Sequence, residues 1–156
     1  MKTLHVSLKV ADLGASIDFY TALLAAGPTV RKPDYAKWQL DDPRVNLSLV
    51  ARGGEPGFDH LGIQAETPEE LAELRERIAR AGALGGEVDD EGQTVCCYHR
   101  SDKTWVTDGQ GVGWEAFHTS ATADVFAEAE PSGACCGPEC CADGARRDET
   151  AAACCA

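Results

Sequence analysis

The stretch Leu4-His5-Val6-Ser7-Leu8-Lys9-Val10 alternates apolar and polar residues, and Phe58-Asp59-His60-Leu61-Gly62-Ile63-Gln64-Ala65 repeats the pattern with a histidine at the matching place. Alternation with a period of two marks a half-buried strand, because successive side chains leave opposite faces. Leu4, Val6, Leu8 and Val10 share one face, and His5, Ser7 and Lys9 the other. In the second stretch Leu61 and Ile63 oppose His60, Gly62 and Gln64. Each strand leads into a helix. Asp12 caps one that runs to about Ala26, with Ile17, Tyr20, Leu23 and Leu24 as its apolar stripe and Gly27-Pro28 as its stop. Thr67 caps the other, which runs to about Ala81 and stops at Gly82, and Glu70 completes a capping box. Strands near Thr29 to Lys32, Ala36 to Leu40 and Val45 to Val50 follow the first helix. Strands near Gly86 to Asp90, Thr94 to Arg100 and Gly113 to Thr119 follow the second. The order βαβββ is written twice, which predicts an α+β fold of two such modules over residues 1–119. The modules are expected to pack within one chain or to swap between two, so a homodimer is one assembly this pattern allows.

Beyond Thr119 the composition turns to Ala, Gly, Glu and Cys, with no apolar periodicity past a short helical turn near Asp124 to Ala129. Residues 120–156 are therefore expected to be a flexible cysteine-rich tail. The net charge of −12 argues against nucleic acid or an anionic membrane surface as partner, since both require basic patches. No segment approaches the roughly 20 apolar residues that span a bilayer. The N-terminus lacks the apolar stretch of a signal peptide, so the expected compartment is the cytoplasm. The eight cysteines come as adjacent pairs: Cys96-Cys97, Cys135-Cys136, Cys140-Cys141 and Cys154-Cys155. Neighbours make poor structural disulfides, because bridge geometry needs Cα atoms farther apart than a trans peptide places them. Ligation of a soft element by thiols is the better reading in a reducing compartment.

His5 and His60 sit on the polar faces of matched strands, which points to a shared metal site over two separate structural histidines. Glu115, in Gly113-Trp114-Glu115-Ala116-Phe117, is a carboxylate inside an aromatic-flanked strand, costly unless paired or bound to a metal. The alternative is an exposed edge position. Two histidines and one carboxylate form a facial triad, which leaves coordination sites for dioxygen and substrate on Fe(II). Aligning Val45 to Val50 with Val112 to Phe117 places Ser48 opposite Glu115, so a fourth strong ligand is missing. For Cys96 and Cys97 to grip one atom, their strand must end, bulge or twist there. A trivalent organoarsenical offers two positions for thiolates and so matches a dithiol, whereas inorganic arsenite or Cd(II) prefers three or more sulfurs. His99 to Asp108 reads as a charged loop leading to a short extended segment, which either covers a site, with Tyr98 or Lys103 touching substrate, or is a solvated turn. His99 and His118 read as surface residues. Asp59 either orients the ligand His60 or serves a turn.

The paired modules, with Leu4-His5-Val6, Asp59-His60-Leu61-Gly62 and Trp114-Glu115, resemble the vicinal oxygen chelate superfamily of glyoxalase I, extradiol dioxygenases and bleomycin-resistance proteins. Within it, Val95-Cys96-Cys97-Tyr98, the run Asp102-Lys103-Thr104-Trp105-Val106-Thr107 and the cysteine-paired tail resemble the carbon–arsenic lyase branch, often labelled cadmium-induced protein. The resemblance implies an Fe(II)-dependent dioxygenase that cleaves trivalent methyl- or aryl-arsenicals and releases inorganic arsenite. It implies Fe(II) on His5, His60 and Glu115, and arsenic on Cys96 and Cys97. Tyr98 and Lys103 are the expected catalytic contacts. A non-catalytic thiol protein that sequesters Cd(II) or As(III) is the competing expectation, and a glyoxalase-like isomerase or thiol transferase a third.

Overall fold

The computed structural model describes residues 1–127. The first module is β1 (Thr3–Lys9), α1 (Leu13–Leu24), β2 (Val30–Lys32), β3 (Tyr35–Asp41) and β4 (Arg44–Val50). The second is β5 (Gly57–Ala65), α2 (Pro68–Gly82), β6 (Glu87–Cys96), β7 (His99–Thr107) and β8 (Gly113–Thr122). The strands form one curled sheet in the order β2-β3-β4-β1-β5-β8-β7-β6, so both modules lie within one chain. β1 and β5 meet antiparallel at the centre, and each pairs parallel with the last strand of its own module.

The register makes the internal symmetry explicit. His5 lies across from Gly62 and Ser7 across from His60, so a twofold relation exchanges His5 with His60 and Ser7 with Gly62. Ser7 pairs with Ser48 in β4, and Gly62 pairs with Glu115 in β8. Ser48 and Glu115 are therefore equivalent positions, as the sequence alignment expects.

The helices cover one face of the sheet. Ile17 packs with Ala36, Trp38, Leu47 and Leu49 under α1, and Leu71, Leu74 and Ile78 pack with Ala65 and Ala116 under α2. Burying each large side chain contributes roughly 1.5–3 kcal/mol. The Asp12 carboxylate accepts from the Ala15 amide, and Thr67 accepts from the Glu70 amide, as expected of N-caps. The Glu70 side chain accepts from the Glu66 amide and not from Thr67, so the capping box closes one residue early. On α1 the expected stripe holds for Ile17, Tyr20 and Leu24, while Leu23 is exposed.

Several sequence expectations are corrected. The polar faces of the central strands are the more buried ones: Thr3, His5 and Ser7 are buried, whereas Leu4 is 47% exposed. The curl of the sheet encloses the polar face, so alternation reports which residues face the helices and not which face water. The two strands expected at Gly86 to Asp90 and Thr94 to Arg100 are one strand, β6, which reverses at Cys97-Tyr98. The stretch read as a charged loop leading to a short extended segment is extended throughout, as β7. It carries polar side chains on both faces, because His99, Ser101 and Lys103 are buried on the concave side while Asp102 and Thr104 bind Arg75 of α2. An apolar alternation was therefore never written there. β8 extends three residues past the expected boundary, to Thr122. The described part of the expected turn at 124–129 is not helical, since Ala127 forms a β-bridge with Cys96. Cys135, Cys136, Cys140, Cys141, Cys154 and Cys155 lie outside the described residues. Among the described residues no helix is long and apolar enough to cross a membrane.

Candidate metal and dithiol site

Four central strands aim His5, His60, Glu115 and their partners into the concave side. The Nε2 atoms of His5 and His60 lie 3.3 Å and 3.5 Å from Glu115 Oε1. These three ligand atoms all fall within 4.8 Å of one another. Donor atoms at about 2.1 Å from a shared cation, at right angles, lie about 3 Å apart, so the set fits a small divalent metal. Each imidazole is turned so that Nε2 faces inward. His5 Nδ1 donates to the Asn46 carbonyl at 2.9 Å, and His60 Nδ1 donates to Asp59 Oδ2 at 2.9 Å. Such outer partners fix the tautomer of a ligating histidine.

Asp59 and His60 are sequence neighbours, and on a regular strand they would point apart. The register slips between Ser7 and Leu8, which leaves Asp59 as the extra residue of a bulge. The bulge lets its carboxylate reach His60, Ser7 and Lys9 together. Of the two readings open in the sequence, the orienting one is the one the geometry shows.

Glu115 is buried, which opposes ionisation, but hydrogen bonding to His60 and the Lys103 charge hold its carboxyl at about 2. Lys103 Nζ donates to Oε2 at 3.1 Å and leaves Oε1 for the histidines. Burial pulls the Lys103 ammonium down, yet Glu115 and the two thiols outweigh it, so the ammonium is raised above its ordinary value. Burial keeps His5 below the usual histidine range. Burial also opposes a charged His60, but Glu115 and Asp59 more than offset it. Gly62 is required at this crossing. A Cβ there would lie 2.6 Å from Glu115 Cγ and 2.9 Å from its carbonyl oxygen.

The dithiol sits where β6 reverses into β7. Cys97 and Tyr98 both have positive φ, 58° and 63°, in a two-residue hairpin turn that usually takes Asn or Gly. Left-handed backbone at Cys97 costs about 1–2 kcal/mol. It brings the two sulfurs to one side, 3.0 Å apart. The strand does end at the pair, which is the condition the sequence sets for a shared grip. A hydrogen bond from Cys97, set against burial and aided by Lys103, holds the Cys96 thiol down to about 7. The same hydrogen bond and burial push Cys97 up, so Cys96 is the first of the pair to lose its proton.

Three contacts hold the strained turn. The Tyr98 hydroxyl donates to Asp34 Oδ1 at 2.6 Å, the Ala123 amide donates to the Tyr98 carbonyl at 2.8 Å, and His99 Nδ1 donates to the Cys97 carbonyl at 2.7 Å. Tyr98 thus braces the turn through Asp34 and is not among the residues that line the cavity. His99 is buried, not on the surface. Its Nε2 accepts from Lys37 Nζ at 2.7 Å, and burial holds Lys37 down to about 8. His118 is half-buried on the opposite side, with Nδ1 3.2 Å from the Ala65 carbonyl.

One cavity of about 80 Å³ joins the two halves of the site. His5, His60 and Glu115 line it together with Cys96, Cys97 and Lys103. Its aromatic walls are Tyr35, Trp105 and Phe117, with Trp105 edge-on to His60 and Phe117 edge-on to His5. A larger cavity of about 460 Å³ lies under α2, but no histidine or cysteine lines it. Sequence reasoning missed Lys37, Asn46, Trp105 and Phe117. The alternation His99, Ser101, Lys103, Trp105 was the one signal that could have found part of this wall.

The chain matches the profile of the glyoxalase/bleomycin resistance protein/dioxygenase superfamily over residues 2–116. It is 38% identical to a trivalent organoarsenical cleaving enzyme of Bacillus sp. (strain MD1), over 99% of each chain. A protein of the same name from Thermomonospora curvata is 36% identical over 88% of this chain and 90% of its own. The cadmium-induced protein CadI of Mycobacterium tuberculosis is 34% identical over 81% and 82%. Among solved structures, a variant of homoprotocatechuate 2,3-dioxygenase from Brevibacterium fuscum superposes with a TM-score of 0.59 at 19% identity, over 81% of this chain and 34% of that one. The Mn(II)-bound glyoxalase of Novosphingobium aromaticivorans superposes with a TM-score of 0.54 at 19% identity, over 80% and 43%. Shared fold, profile and near-full-length relatives agree: the chain belongs to the glyoxalase/bleomycin resistance protein/dioxygenase superfamily.

Proposed function

We propose that this protein is an Fe(II)-dependent dioxygenase-type lyase that cleaves the carbon–arsenic bond of trivalent organoarsenicals and releases inorganic arsenite. One observation carries the reading: the dithiol and the three-ligand set line the same small cavity. Relatives named for organoarsenical cleavage support it.

A trivalent organoarsenical enters as R–As(OH)₂. Each thiol condenses with one As–OH, and two waters leave. Cys96, the more acidic of the two thiols, attacks first as its thiolate, and the Cys97 proton leaves with the second water. The two sulfurs fix arsenic and present the carbon–arsenic bond to the ligand set, which is the positioning contribution of a bidentate grip. Tyr35, Trp105 and Phe117 shield the carbon substituent from water. Lys103 holds Glu115 as a carboxylate and places positive charge beside the thiolate. Fe(II), held by His5, His60 and Glu115, would supply the dioxygen activation that this bond cleavage requires. Paired free thiols suit a reducing compartment, and the cytoplasm is the proposed location.

Sequestration alone does not account for a buried carboxylate facing two oriented imidazoles. The deciding experiment loads reduced protein with Fe(II) and methylarsenite without oxygen, admits air and separates arsenic species by chromatography. Inorganic arsenite formed over many turnovers, only with iron and oxygen, is the expected result. Tight binding with unchanged methylarsenite would refute the enzyme and leave the thiol trap.

A further inference from the structure

Two lysines line the cavity, Lys37 from β3 and Lys103 from β7. Lys103 donates to Glu115 Oε2 and is committed to that carboxylate. Lys37 pairs with no carboxylate among the described residues. Its Nζ donates to His99 Nε2 at 2.7 Å, while His99 Nδ1 donates to the Cys97 carbonyl at 2.7 Å. His99 is thus a neutral imidazole that accepts on one side and donates on the other. The lysine donates in this contact both as ammonium and as amine, so losing a proton does not release it. Its cross-strand partner is Ser48, the place where the second module carries Glu115. The serine at 48 therefore leaves Lys37 without an anion beside it.

Every element around the cavity contributes to the surroundings of this amine. β7 presents His99 and Lys103, the hairpin presents Cys96 and Cys97, and β1, β5 and β8 present the ligand set. β3 itself adds Tyr35, whose hydroxyl burial keeps protonated, and β4 adds only the uncharged Asn46 and Ser48. Lys32 of β2 acts on His99. Burial pulls the Lys37 ammonium down to about 8, and the Cys97 charge opposes that pull. An amine at this value can both give and take a proton near neutrality. Loading of the dithiol requires such a group. Cys96 attacks as a thiolate and brings no proton, yet each As–OH must depart as water.

We propose that Lys37, held by His99, carries the protons that load a trivalent organoarsenical onto Cys96 and Cys97. The inference rests on the proposed reading of the dithiol as an arsenic site. The Cys96 sulfur bonds to arsenic, one As–O bond breaks, and the Lys37 ammonium gives the departing hydroxide its proton. Water and a neutral amine result. The Cys97 sulfur then bonds to arsenic, and its proton passes to the Lys37 amine. Lys37 hands that proton to the second hydroxide, which leaves as water. A solvent proton, equal to the one Cys96 gave up at the start, restores the ammonium. No oxidation state changes, so neither oxidant nor reductant is needed.

The test mixes the full reduced chain, free of metal, with methylarsenite, quenches in acid at short intervals and reads the adduct by mass. Iodoacetamide alkylation of Cys96 is the control, since iodide departs without a proton. Lys37→Met should load methylarsenite about 10²-fold more slowly, the low end of what a positioned acid–base group contributes. Its equilibrium affinity for methylarsenite should be kept, because a proton carrier speeds loading and release alike. Its alkylation rate at Cys96 should change little. Lys37→Arg keeps the charge but gives up no proton, so it should stay slow. The wild-type loading rate should rise as pH passes about 7, where Cys96 ionises, and fall past about 8, where Lys37 loses its proton. Lys37→Met should lose that fall. An unchanged loading rate in Lys37→Met, full loading by Lys37→Arg, or a parallel loss of loading and alkylation would overturn the inference. Failure of the proposed function looks different: methylarsenite would go uncleaved with iron in air while its loading still depended on Lys37.

Discussion

β4 carries Ser48 where β8 carries Glu115, and β1 carries Ser7 where β5 carries Gly62. The two modules share one topology and are related by a near twofold axis between the central strands, yet the first places one residue in the candidate ligand set and the second places two. His5 is the first module's one member of the candidate ligand set. The second adds His60, Glu115, Lys103 and the dithiol. The paired differences are coupled. A glutamate at 115 lies across residue 62 and leaves no room for a Cβ, whereas serine at 48 tolerates serine at 7. The twofold relation of the modules accounts for the scaffold, and the Glu115–Gly62 pairing, set against Ser48–Ser7, accounts for why the second module alone places a carboxylate beside the two imidazoles.

The largest way to break this asymmetry is to remove Glu115. In Glu115→Gln the charge between the imidazoles is lost and Lys103 loses its buried partner. Fe(II) affinity, followed by equilibrium dialysis, should fall by more than the roughly 10–100-fold typical of outer-partner changes. Gly62→Ala should come next. Its Cβ would sit 2.6 Å from Glu115 Cγ, so the strand or the ligand must move. Overpacking of this kind typically costs about 1–3 kcal/mol. Denaturant unfolding should show that loss, and Ser7→Ala, at the symmetric place, should show little. An equal effect at both sites would mean that the Glu115 crossing is not what demands glycine.

Asp59→Asn sharpens the comparison from the other side. His5 is oriented by a backbone carbonyl, whereas His60 is oriented by a carboxylate delivered by a bulge. Asn keeps a hydrogen bond but loses the charge, so Fe(II) affinity should drop about 10–100-fold. Activity unchanged in this variant would reduce Asp59 to a turn residue.

Much of this was legible in the sequence, for physical reasons that can be named. The strands β1 and β5 alternate cleanly because their outer faces meet apolar helices, and the matched histidines then single out the polar face. Cys96-Cys97 was legible as chemistry through its rarity. Its geometry was not, since two positive φ values in a Cys-Tyr turn contradict local preference and persist only because Asp34, Ala123 and His99 hold them. β7 was legible only in part as a strand because its outer face binds Arg75 through Asp102 and Thr104 and turns apolar only at Val106. His99 shares this ambiguity. A histidine in an apparent charged loop reads as solvated, while the same residue on an inward strand face becomes a wall of the site.

The smallest effect concerns protons, and it separates the sulfur half of the site from the metal half. The Cys96 thiol is held at about 7, below the ordinary thiol range, mainly by the hydrogen bond from Cys97 and also by the Lys103 charge. A depressed value means that the thiolate dominates above neutrality and is lost as pH falls through about 7. Its stabilising contact with Lys103 is lost over the same interval. The rate of iodoacetamide alkylation at Cys96 in metal-free protein should therefore fall about tenfold per pH unit below 7 and level off above it. Lys103→Met should move the midpoint upward, because it removes the nearby cation. Glu115→Gln should move it the other way, since Glu115 raises the Cys96 value. Opposite shifts in those two variants would show that the second module tunes its thiolate with the same ion pair that holds Glu115 beside the two imidazoles. Identical profiles would make the pairing of Lys103 with Glu115 a matter of metal geometry alone.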